Sequence, residues 1–110
     1  MKKTSQKKKK PRTAVAVEAM YVLRLYISDS TPKSERAVVN LKRVCEEHLK
    51  GRYDLEVIDI HNHASLARNE QIVAVPTLIK RLPAPLQRLV GDMSDLNKVL
   101  FGLDLKLRES

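Results

Sequence analysis

The sequence predicts an α/β domain whose first two strands run parallel. Three features lead there: an apolar strand-like run at 21–27, an amphipathic helix beginning at Pro32, and a second strand-like run at 53–60. Strand, helix and strand within about 40 residues make a βαβ unit, which implies a parallel pair joined by a right-handed crossover. At 110 residues the chain is long enough for one small domain.

Each element has a local reason. Tyr21–Ile27 reads YVLRLYI, rich in β-branched and aromatic side chains with one charge, as a buried strand requires. Ser28-Asp29-Ser30-Thr31-Pro32 then gives a turn and a helix start. Thr31 can cap free backbone N–H groups, and Pro32 suits the first helical position, where its missing N–H costs nothing. Ala37, Val38, Leu41, Val44, Cys45 and His48 form one helical face, with Glu35, Arg36, Lys42, Arg43, Glu46 and Glu47 opposite. Gly51 is placed to end this helix in a left-handed conformation. In the second strand Tyr53, Leu55 and Val57 alternate with polar residues, and Ile58 is a further candidate for its apolar set.

A short helix over 64–71 and an extended run Val75-Pro76-Thr77-Leu78-Ile79 follow, closed by Pro83 and Pro85. Arg88-Leu89-Val90 is a brief strand, Gly91-Asp92 a turn and Ser94 a helix cap. The C-terminal segment fits two periods. Leu96, Val99, Leu100, Leu103 and Leu107 mark a helical stripe, yet Leu103, Leu105 and Leu107 alternate with Asp104, Lys106 and Arg108 as in a strand. As a helix it carries Gly102 in its middle, costing ~1 kcal/mol relative to alanine, and Asp104 at the negative pole of the macrodipole. That conflict is a physical signal of conformational ambiguity.

The formal charge of +8 suggests a nucleic-acid binder until its distribution is examined. Of the 21 basic residues, seven (Lys2, Lys3, Lys7 to Lys10 and Arg12) lie in the first twelve positions with no acid among them. The rest of the chain therefore carries 14 basic against 13 acidic residues. Residues 1–19 are expected to be a disordered basic tail and residues 20–110 the domain. A polybasic run without interleaved aromatics specifies no particular nucleic acid. The stretch from Ala14 to Ile27 is interrupted by Glu18 and Arg24, which argues against a signal peptide, and no segment has the length of a membrane span. A single cysteine, Cys45, excludes an internal disulfide and a two-cysteine redox motif, and the composition reads as cytoplasmic. Three glycines make no phosphate-binding loop. Asp59, His61 and His63 lack a fourth ligand at a defined spacing, so no metal and no cofactor is expected.

A βαβ unit followed by a short helix and Val75-Pro76-Thr77 resembles the thioredoxin fold, in which the third strand begins after a cis-proline; Pro76 is the candidate. The redox Cys-x-x-Cys of that fold would fall on Thr31-Pro32-Lys33-Ser34, whose hydroxyls cannot form a disulfide. A wider pattern comprises LRLYIS, TPKSERA, YDLEVIDI, IVAVPTLIKRLPAPLQRLVGDMSD and KVLFGLDL, in order over residues 21–107. It resembles the KaiB family of circadian clock proteins.

The resemblance implies a thioredoxin-like KaiB fold with two forms. One is a βαβαββα monomer that binds its partner, and the other a βαββααβ resting form assembled as a tetramer or dimer. It implies a non-enzymatic protein that binds the ATPase ring of a KaiC-like kinase/ATPase, in a clock or a related timing or stress system. Gly102 and Asp104 match positions that control the fold switch, so Gly102→Ala with Asp104→Arg is expected to favour the thioredoxin-like monomer. Arg36, Lys80 and Arg88 match basic positions linked to complex formation or assembly. Asp54 and Glu56 stand where clock members commonly carry a small residue and a lysine, which disfavours a KaiA contact. Gln87 in place of a usual arginine, the HNHAS segment and the basic extension are further departures. The two competing classes are a thioredoxin-type redox protein, which the missing second cysteine disfavours, and a nucleic-acid accessory protein acting through the tail.

Overall fold

A computed structural model describes residues 20–28 and 31–105. The basic segment, with the expected 1–19 boundary, and Leu107 lie outside the described residues. The elements run β1 (Tyr21–Ile27), α1 (Pro32–His48), β2 (Tyr53–Asp59), α2 (Ala64–Asn69), β3 (Thr77–Leu82), β4 (Gln87–Val90) and α3 (Leu96–Gly102). This is the βαβαββα order expected of the partner-binding form.

The four strands form one sheet in the order β2-β1-β3-β4. β1 and β2 are parallel, with Tyr21 opposite Tyr53 and Ile27 opposite Asp59, while β3 runs antiparallel to both β1 and β4. Period-two alternation sends Leu23, Leu25, Leu78 and Leu89 to one face, where they pack with Ala37, Leu41, Val44 and Cys45 of α1 and Val99, Leu100 and Leu103 at α3. The opposite face carries a smaller cluster, Tyr26, Ile58 and Ile79, covered by Ala67 of α2.

α1 follows its sequence closely. Thr31 accepts a hydrogen bond from the Ser34 backbone N–H, Pro32 occupies the first turn, and Gly51 at φ 80° serves the turn into β2. From β2 onward the structure departs from expectation in four places. β3 extends to Leu82, past the expected end of the run, because its pairing with β1 reaches Val22. Val57, expected to face the core, is exposed on an edge strand, and the buried residue there is Ile58 on the other face. The cap of α3 is Asp95, whose carboxylate accepts from the Lys98 backbone N–H, and Ser94 instead donates its N–H to Asp92. α3 stops at Gly102, so neither Leu103 nor Asp104 belongs to it.

Candidate functional site

Six residues singled out from the sequence fall at four places. The first is the loop before β3. The Val75–Pro76 peptide is cis and Pro76 is buried, so the chain enters β3 as a thioredoxin-like fold requires. In such a fold, redox chemistry belongs near the start of α1. There the Thr31 hydroxyl is committed to the helix cap, and the buried Ser34 Oγ accepts the Ser28 backbone N–H at 3.1 Å. Cys45 is fully buried in the core, and desolvation, aided by Glu46, pushes its thiol up to about 12. A thiol so protonated is no nucleophile near neutral pH.

The second place joins β3, β4 and α3. Lys80 shares the core-facing side of the sheet with Leu78 and is only 1% exposed. Its Nζ donates to the Pro83 carbonyl at 2.6 Å and to Asp104 Oδ2 at 3.0 Å. Lys80, expected from the resemblance to serve complex formation or assembly, is in this fold an interior ammonium held by acceptors of its own chain. The buried cation needs these acceptors, and Asp104 supplies the opposite charge while adopting φ 62° just past α3. Gly102 also differs from expectation. As the last residue of α3 it imposes little mid-helix cost; it is buried against β4. A Cβ there would lie 2.5 to 2.8 Å from the Cδ and Cγ atoms of Leu89, so glycine is what lets α3 approach the strand.

The third place is on the α2 face. Arg88, exposed on β4, donates to the backbone carbonyls of Glu70 and Gln71. The Glu70 carboxylate, at the end of α2 and largely buried, accepts from Arg81 of β3 and from Arg24 of β1. Arg24 also faces Glu56 of β2 at 3.5 Å. Arg36 lies apart, on α1, paired with Asp92 at 3.1 Å in the turn after β4; Asn40 donates to the Asp92 carbonyl beside it. The Ser94 hydrogen bonds, with Arg36, hold the Asp92 carboxyl down at about 2.

Sequence reasoning missed Glu70, Asp92 and Leu89. Their roles arise from partners 11 to 56 positions away, which no local period reveals. Among the described residues no group of three metal-ligating side chains converges and no helix is long and apolar enough to cross a membrane. The arrangement offers exposed, positioned arginines and charge contacts between elements.

The comparisons with known proteins agree with this geometry. Residues 24–105 match the family model described as the KaiB domain. The chain is 49% identical to circadian clock protein KaiB3 of Synechocystis sp., over 76% of this chain and 82% of that one. It is 46% identical to circadian clock oscillator protein KaiB of Prochlorococcus marinus, over 86% and 88%. Among solved structures, the N-terminal domain of Synechococcus elongatus SasA superposes with a TM-score of 0.65 at 22% identity, covering 91% of this chain and 98% of that one. A chloroplastic thioredoxin z follows at 0.63 and 18%, over 77% and 79%. At these identities the two structures speak for the thioredoxin-like fold alone.

Proposed function

The chain belongs to the KaiB family, and from that premise we propose that it is a non-enzymatic, cytoplasmic regulator of a KaiC-like ATPase in a circadian clock or related timing system. The observation that carries the reading is the family match across nearly the whole described domain. The absence of free thiol chemistry at the start of α1 and at Cys45 agrees with it.

In this reading the thioredoxin-like form is the one that binds the ATPase ring, and Arg36 and Arg88 are its exposed contacts. A second, self-associated form of the chain stores it, and the exchange between forms rebuilds the half after β2. Gly102 and Asp104 control that balance through the two contacts they make here, with Leu89 and with Lys80. In the Gly102→Ala, Asp104→Arg chain better helix propensity and a kinder dipole favour α3, while the Leu89 contact opposes the added methyl and the lost Lys80 ion pair opposes the charge reversal.

The test is a pull-down with the KaiC-like ATPase of the same cell, with and without nucleotide. Retention that falls for Arg88→Ala and Arg36→Ala supports the reading, and no retention in either nucleotide state overturns it. Size exclusion and NMR of Gly102→Ala with Asp104→Arg read the balance; unchanged oligomeric state and unchanged shifts would reject two forms.

A further inference from the structure

Among the described residues the outer edge of β2 is open, because in the order β2-β1-β3-β4 it has a neighbour on one side only. A seven-residue edge strand presents unpaired backbone donors and acceptors, a template for any extended segment. Its charges select what can be added. Asp54 and Glu56 are exposed, and the Arg24 contact leaves the Glu56 side chain 62% accessible. A second copy pairing antiparallel about the strand centre would set Glu56 against Glu56, which like charge disfavours. A basic segment is favoured for the same reason.

The chain contains one such segment in the right place. Residues 1–12 hold seven cations and no acid, and they lead into β1. Tyr21, the first residue of β1, pairs with Tyr53, the first residue of β2, so the segment is rooted one strand away from the open edge. The eight residues 13–20 reach up to about 27 Å when extended, more than the roughly 23 Å length of β2. A chain that reverses there passes β2 from its Tyr53 end toward its Asp59 end, and so runs antiparallel to it.

We propose that the basic N-terminal segment of this chain binds along the outer edge of β2 in the same molecule, pairing its lysines and Arg12 with Asp54 and Glu56. Tethering supplies an effective concentration near the millimolar range, so weak, salt-sensitive contacts suffice.

Zero-length carbodiimide cross-linking of the full chain, read by mass spectrometry, tests this. The expected products join Lys7 to Lys10 with Asp54 or Glu56 within one molecule, at a yield unchanged over a hundredfold dilution. They fall at least fivefold in 0.5 M NaCl, and both deletion of residues 1–19 and the Asp54→Asn, Glu56→Gln variant speed amide exchange in β2. Four results would each overturn the proposal: links between molecules only, links spread evenly over Glu35, Glu47 and Asp95, no links, or β2 exchange indifferent to the deletion.

Discussion

The half of the molecule up to β2 and the half after it are built on different terms. The first has a 17-residue helix with a side-chain cap and two seven-residue strands in unbroken parallel register. The second has helices of six and seven residues, a four-residue edge strand, and non-glycine residues at positive φ at Gln71, Met93 and Asp104. Helices that short are not stable alone. They stand on contacts made to the first half: Glu70 on Arg24, and Asp92 on Arg36 and Asn40. One half carries its own instructions and the other borrows them, which is the asymmetry that the proposed exchange between two forms requires.

Leu41→Ala strikes the half that stands alone and should cost about 2–5 kcal/mol, because Leu41 is wholly buried between α1 and the sheet. Denaturant unfolding should show a single weakened transition; loss confined to the second half would break the comparison. Asp104→Asn leaves the Lys80 ammonium buried without its counter-charge. Because Asp104 is half exposed, the expected loss is only ~1–2 kcal/mol. Amide exchange should rise in β3, β4 and α3 while α1 stays protected.

Gly102→Ala and Leu89→Ala should be non-additive by about 1–2 kcal/mol, since removing the leucine vacates the space the new methyl needs. In the Leu89→Ala background, Gly102→Ala should stabilise α3. Additive effects would mean that the close approach of α3 to β4 is not what requires glycine. Glu70→Gln should cost about 1 kcal/mol or less and do so more at low salt, because its arginine partners are partly exposed.

The smallest effect is the titration of Asp92. Its folded pKa is depressed to about 2, below the ordinary carboxylate value, so its contribution is complete above about pH 4 and is lost as pH falls through about 2. Carbon-detected NMR should follow this step. Ser94→Ala and Arg36→Ala should each raise the Asp92 value, since each removes a hydrogen bond that holds the carboxylate form.

The first half was legible in the sequence because its reasons are local. Thr31-Pro32 starts α1 and the 3.6-residue stripe faces inward, so the βαβ crossover follows. The Val75-Pro76-Thr77 entry to β3 was legible by resemblance, and the cis peptide agrees. The C-terminal ambiguity was legible as two competing periods, but its resolution was not. α3 ends at Gly102 because Leu103 turns into the core and Asp104 turns back to Lys80. Lys80 shows the limit most plainly. A lysine in a strand reads as surface, and only the arrival of Pro83 and Asp104 from later in the chain makes its burial tolerable.

What the amino-acid sequence determined by itself was the set of elements up to β2, the core face of α1, the family pattern, and the concentration of excess charge in twelve residues. Those depend on propensity, capping and periodicity, which act over a few positions. Tertiary structure alone decided which strand edge stays open among the described residues, which lysine is interior, what a Cβ at position 102 would meet, and that Glu70 and Asp92 tie the second half to the first. Each of these depends on groups far apart in the chain meeting in space, and the energy of such a meeting is written in no single segment.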